Sequence, residues 1–304
     1  MKFFKPIKNI RMKKMPARHL PKIQLIIALL FISTFVDAQS IHLDSFLMSR
    51  MIQDSSFEII PGITETNLYY LNTSGNPEAV YILKIKLKKH RLGLEAATPF
   101  NKDTFCRQTV TDQMQWENTP GHQVITGVNA DFFNMKNGVP EEMEWKEGKM
   151  LKDGFMPHRS FMGVLKNGKV LIGDSILYVR KKKHLKEALG GNQLLVKNGK
   201  VIPQLSNSFS LTRHPRTAAG IINKHTILFV VIDGRHPKYS NGMPLDELAH
   251  LMQILGAKTA INLDGGGSST LVSLDAKTRK WMLRNKPSGG RERTVANAWI
   301  VVKY

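Results

Sequence analysis

The chain of 304 residues carries 44 Lys/Arg against 24 Asp/Glu, a formal net charge of +20, and a single cysteine, Cys106. One cysteine excludes an intramolecular disulfide, a CxxC redox centre and a thiolate metal cluster. The charge favours acidic partners (phosphorylated or uronic polysaccharide, anionic lipid, nucleic acid) without choosing among them.

In chain order the first feature is a basic segment, Lys2 to Lys22, followed by the apolar run Ile23 to Val36. At about 14 residues the run is short for a bilayer span and right for the core of a secretory signal peptide. Val36-Asp37-Ala38 then fits the small-residue cleavage rule. Residues 1–38 are therefore expected to be a signal peptide and 39–304 a single domain, periplasmic or secreted, with no stable membrane insertion after cleavage. Cleavage removes eight Lys/Arg and one Asp, taking the net charge from +20 to +13. Export leaves no place for a nucleic-acid partner. The oligomeric state is not written in the sequence.

Leu43 to Gln53 reads as a helix. Strand-like runs follow at Ala79 to Leu87, Gln123 to Val128, Arg159 to Leu165 and Lys169 to Ile172, then at Leu194 to Val196, Arg216 to Ile222, Thr226 to Ile232 and Thr294 to Val302. Asn167-Gly168 and Asn198-Gly199 carry the dipeptide of a type I′ hairpin, so antiparallel pairing is expected. The basic run Arg180-Lys181-Lys182-Lys183-His184 reads as a solvated strand end or turn. Pro244 to Leu255 is the clearest helix: Pro and acids lie in its first turn, Leu245, Leu248, Leu251, Met252 and Leu255 form one stripe, and Gly256 takes the C-cap. A buried strand, Thr259 to Leu263, comes next. The predicted fold is α+β: one domain on a mainly antiparallel mixed sheet with a few packed helices.

At the end of that strand stands Asn262-Leu263-Asp264-Gly265-Gly266-Gly267-Ser268-Ser269-Thr270, after which Ser268 to Leu274 reads as a strand. Three adjacent glycines are unfavourable in regular structure, so the loop needs unusual backbone angles or a close approach to another group. It lacks the Lys and the following helix of a P-loop and the spacing of a dinucleotide fingerprint. A tight turn alone would explain one or two of the glycines, but not three flanked by an amide, a carboxylate and hydroxyls.

INLDGGGSSTLV (Ile261 to Val272) and the block VVIDGRHPKYSNGMPLDELAHLMQILGA (Val230 to Ala257) resemble the phosphodiester glycosidases related to N-acetylglucosamine-1-phosphodiester alpha-N-acetylglucosaminidase. HPRTAAGI (His214 to Ile221), GVNADFFN (Gly127 to Asn134), GGNQLLVKNGK (Gly190 to Lys200) and RTVANAWIVV (Arg293 to Val302) continue the resemblance in family order. Ala130 stands where many members have glycine, and Gly138 to Glu144 is unusually acidic. The resemblance implies hydrolysis of a sugar-1-phosphodiester at the anomeric C–O bond, with a sugar-phosphate or phosphorylated glycan such as exopolysaccharide as substrate.

A phosphomonoester leaves as an anion, so cations matter more than a general acid. Arg216, Arg235 and Arg293 are candidates for a phosphate clamp, Arg293 being equally suited to a structural salt bridge, and the N–H groups of Gly265, Gly266 and Gly267 for an anion-binding nest. Asp264 is the first candidate for nucleophile or base, with Asp131 and Asp233 as partners or as turn residues bonding their own backbone. Asn129 and Asn262 can hold sugar hydroxyls or orient a carboxylate, Ser268 and Ser269 are candidates for binding substrate or phosphate, and Phe132, Phe133 and Trp145 can pack a sugar face or the core. The Asn, Asp and Ser oxygens are also ligand types for Ca2+ or Mg2+, whereas His122, His158, His214 and His236 show no zinc spacing. Two rival classes remain open, a non-catalytic module for acidic exopolysaccharide and a phosphoesterase that cuts P–O.

Overall fold

Alternating and continuous apolar runs resolve into three sheets in the computed structural model, which describes residues 41–87 and 91–304. The expected signal peptide and the start of the domain at residue 39 lie outside the described residues. The largest sheet has eight strands in the order Arg50–Ile60, Ile63–Leu71, Pro77–Lys86, Thr226–Ile232, Arg216–Asn223, Thr259–Asn262, Leu194–Lys197, Lys200–Val201. A second sheet runs Lys149–Lys152, Glu144–Lys146, Leu185–Gly191, Ser160–Leu165, Val170–Gly173, and a third Trp281–Leu283, Leu271–Leu274, Gln123–Asn129, Ala298–Lys303, Leu92–Ala97. The α+β reading holds. Its single mixed sheet becomes three, and among the described residues every strand pair is antiparallel.

The period of two along each strand divides the large sheet into two apolar faces. Ile85, Phe229, Val231, Ala219 and Ile261 pack against Leu94, Val128, Leu189 and Trp299 of the smaller sheets. Ala218, Val230, Ile232 and Ala260 on the other face meet Leu245, Leu248, Leu251 and Met252 of the helix Leu245–Ile254. Thr226–Ile232, covered on both faces, therefore reads as an unbroken apolar run. The helix closes as predicted: Gly256 takes φ 86°, its N–H bonds Gln253 O, and Ala257 N–H bonds Met252 O.

The remaining local expectations divide. Asn198 and Gly199 both have positive φ, as a type I′ turn requires, but at Asn167-Gly168 only Gly168 does, because the Asn167 side chain accepts from Lys169 N–H and sets a different turn. Leu43 to Gln53 is not a helix. Asp44 forms a short turn through Phe46, Leu47 and Met48, and the Ser49 hydroxyl then bonds Leu71 O and Asn72 O, drawing the chain into the edge strand Arg50–Ile60. The basic run is not a strand end: Arg180 and Lys181 end the helix Ser175–Lys181, and a 3-10 turn holds Lys182 to His184. Cations there suit the helix C-terminus.

Candidate active site

Asn262 lies directly opposite Ala218 in the neighbouring strand. By alternation, Asn262 and Arg216 share one face of the large sheet, and Asp264 follows two residues beyond the carboxyl end of the strand Thr259–Asn262. Asn129 joins this end to the third sheet. Its Nδ2 donates to Asp264 O at 2.6 Å, while its Oδ1 accepts from Thr217 Oγ1 at 2.8 Å and Thr270 N–H at 3.1 Å. Asp264 N–H donates to Ala130 O at 2.8 Å. Asn129 thus holds the loop from within, and its side chain is occupied by protein partners.

Each glycine has its own reason. A Cβ on Gly265 would meet Pro215 O at 2.7 Å; Gly266 takes φ 62° beneath the Arg235 guanidinium; a Cβ on Gly267 would overlap the Arg293 guanidinium. The loop is therefore a floor on which two arginines rest. The expected nest is largely absent: Gly265 N–H donates to Asp264 Oδ1 at 2.8 Å and Gly266 N–H to Pro215 O at 2.8 Å. Residues 266–268 form a 3-10 turn, and the strand begins only at Leu271.

Asp264 is half-buried, with its carboxyl pushed up to about 6. Burial is the main cause, and the nearby Glu141 charge adds to it. The Ser268 hydroxyl, the Gly265 N–H and the Arg293 charge oppose the rise. Arg235 is exposed at a positive φ of 62°, with Nη2 3.3 Å from His214 Nδ1. Among the described residues no carboxylate lies within 4 Å of Arg235 or Arg293, so both charges face the loop unpaired. An open cleft of about 600 Å³ adjoins Arg293, lined by Gly267, Gly289, Arg291, Glu292, Arg293 and Thr294.

Arg216 belongs to the scaffold. It is only 2% exposed; Nε donates to Met243 O at 2.8 Å, and Nη2 donates to Phe209 O at 2.7 Å and Thr212 O at 3.0 Å, with the guanidinium over the Phe209 ring. Burial and the Arg235 charge lower it to about 10. Asp233 is likewise buried, accepting from Asn285 Nδ2 at 2.9 Å and Lys286 N–H at 2.7 Å. The same Asn285 Nδ2 donates to Ser269 O, and Asn285 Oδ1 accepts from Leu271 N–H. Asp233 therefore acts on the glycine loop through Asn285, a residue without any motif around it to flag its role.

Asp131 is buried. Its Oδ2 accepts from Glu142 N–H at 3.0 Å, its Oδ1 is buried without a protein partner, and burial drives the carboxyl well above the usual range, with Glu142 and Glu144 adding to the rise. Glu141, which is ion-paired with Arg159, is the carboxylate whose charge acts weakly on Asp264. Arg159 lies over the Phe132 ring, and Phe132 meets Phe209 edge to face, so these residues form one wall. Phe133 and Trp145 pack into apolar clusters. Glu141 stood in the acidic segment visible in the sequence, but Arg159, inside a strand-like run, carried no signal.

The Asn262 amide and the hydroxyls of Ser268, Ser269 and Thr270 are buried without a hydrogen-bond partner of ordinary geometry, Ser268 lying near the Asp264 carboxylate. Such groups need polar partners. Closed to the surface, they suit ordered water rather than the substrate hydroxyls expected of Asn262, Ser268 and Ser269. Among the described residues no group of three or more His, Cys, Asp or Glu is arranged to hold a metal ion, and no helix is long and apolar enough to cross a membrane.

The sequence matches the model of the phosphodiester glycosidase family over residues 122–302. No curated protein matches it. Among solved structures, the catalytic domain of zebrafish N-acetylglucosamine-1-phosphodiester alpha-N-acetylglucosaminidase, auto-inhibited by its pro-peptide, superposes with a TM-score of 0.64 at 15% identity, covering 87% of this chain and 98% of that one. A hypothetical protein from Synechocystis gives a TM-score of 0.61 at 15% identity over 83% of this chain, which spans 64% of that protein's length. At such identities the likeness is one of fold.

Proposed function

The chain belongs to the phosphodiester glycosidase family, and from that premise we propose that it is an exported hydrolase cutting the anomeric C–O bond of a sugar-1-phosphodiester. The observation that carries this reading is Asp264, half-buried with a raised pKa, on a glycine floor beside the unpaired Arg235 and Arg293. A phosphoryl group above the floor meets two guanidiniums that can each pair two of its oxygens. The anomeric carbon then lies toward Asp264, which attacks it or takes the proton of an attacking water. As the C–O bond breaks, the electron pair leaves with the phosphate oxygen, and the arginines stabilise that charge. Glu141 is the second carboxylate, and the buried, unpartnered Asn262, Ser268, Ser269 and Thr270 groups take ordered water beneath the floor. Arg216, Asn129 and Asp233 hold the floor in place.

The fate of solvent oxygen tests the proposal. Hydrolysis in ¹⁸O-water should place the label in the released reducing sugar and leave the phosphomonoester unlabelled. Label in phosphate would make the protein a P–O phosphoesterase, and binding without either product would make it a glycan-binding module.

A further inference from the structure

Away from the glycine loop, the short helix Ser175–Lys181 presents a surface that the proposed hydrolysis does not use. Tyr178 is buried, whereas Ile176 and Val179 are 62% and 67% exposed. Ile176, Val179 and Arg180 are spaced i, i+3, i+4 and so share the outward face. Lys183 and His184 follow at the surface, and the Lys166 N–H bonds His184 O, bringing the exposed hairpin Lys166–Lys169 alongside. Asp174, which caps the helix, lies 3.7 Å from Lys197, linking this surface to the cationic hairpin Lys197–Lys200. Among the described residues, neither Arg180 nor Lys183 has a carboxylate within 4 Å. The cleft between helix and hairpin, about 410 Å³, is lined by apolar Ile172, Ile176, Leu177 and Leu194 and by cationic Arg180 and Lys197.

We propose that this face docks onto the surface of a bilayer containing anionic phospholipid, with Ile176 and Val179 entering the headgroup boundary and the Arg/Lys side chains pairing with lipid phosphates. Two large aliphatic side chains held in water within a cationic surface match the two demands of such an interface, buried apolar area and electrostatic attraction. An acidic polysaccharide satisfies the cations and leaves Ile176 and Val179 exposed, so the lipid surface fits better.

Vesicle co-sedimentation with Ala38–Tyr304, the compact unit that contains every described element, tests this. Vesicles of equal parts phosphatidylcholine and phosphatidylglycerol should bind the protein, and vesicles of phosphatidylcholine alone should not. I176S/V179S should weaken binding roughly tenfold or more, and R180E/K183E should do the same with a flatter salt dependence, both with unchanged hydrolysis and the second with a small loss of melting temperature from the helix C-terminus. Binding that is insensitive to I176S/V179S and equally well competed by soluble polygalacturonate would make the face a polyanion site. Absence of binding to either vesicle would leave it a solvated surface. Either result overturns the proposal.

Discussion

The guanidinium of Arg293 lies against the Cα of Gly267, in the space that a Cβ would occupy. Gly267 has no positive φ, so Gly267→Ala adds a methyl without straining the backbone, and the flexible arginine gives way. Displacing one charge-assisted contact should lower kcat/KM on a sugar-1-phosphodiester roughly ten- to a hundredfold, about 1.5–3 kcal/mol. Melting should shift little. An unchanged kcat/KM would remove Arg293 from the phosphate site.

Arg216 and Arg235 should separate under the same substitution. Arg216→Lys cannot reproduce the bonds to Met243, Phe209 and Thr212, so stability should fall by about 1–3 kcal/mol, with equal activity losses on a phosphodiester and on a sugar with a neutral leaving group. Arg235→Lys should keep stability and lose activity on the phosphodiester alone. Urea denaturation and paired kinetics read both, and a phosphate-selective loss in Arg216→Lys would return that residue to the clamp.

Asp233 makes a stability prediction with a definite sign. Burial raises its carboxyl to about 6, so the folded protein holds this proton more tightly than the unfolded chain. Its favourable contribution is complete below about pH 4 and is lost as pH rises through about 6. Relative to Asp233→Asn, the parent should therefore lose up to about 3 kcal/mol between pH 4 and 7. Independently of pH, Asn offers one acceptor where Asn285 and Lys286 both donate, so the variant should also lose activity through the loop. A stability difference that stays flat across this range would contradict the raised carboxyl.

What the sequence made legible was periodic or compositional. The stripe of Leu245, Leu248, Leu251 and Met252 and the unbroken run Thr226–Ile232 gave their elements directly, because burial on one or two faces leaves a pattern along the chain. Leu43 to Gln53 failed because capping by Asp44 and pairing with Ile63–Leu71 override local spacing. The glycine loop announced a site, but sequence cannot tell a guanidinium facing a ligand from one facing backbone carbonyls. That is why Arg216 stood beside Arg235 and Arg293 as a candidate for the clamp. Arg159 and Asn285 were silent because their partners, Glu141 and Asp233, are distant in the chain and meet them only after the sheets close.

Asp264 carries the last prediction, through its coupling to Glu141. If ionised Asp264 is the nucleophile or base, kcat/KM should rise with pH through about 6 and then level, since protonation below that value removes the reacting lone pair. Asp264→Asn should bind substrate and lose at least 10²–10⁴-fold in turnover with melting preserved. Glu141 raises the Asp264 pKa by repulsion, so Glu141→Gln should move the acidic limb of the profile to lower pH, while the Arg159 charge it releases moves it the same way. A limb that stays in place in Glu141→Gln would uncouple the two carboxylates. A limb that persists in Asp264→Asn, with activity within a few-fold of the parent, would remove Asp264 from the nucleophile or base role, and the glycine loop would then serve binding alone.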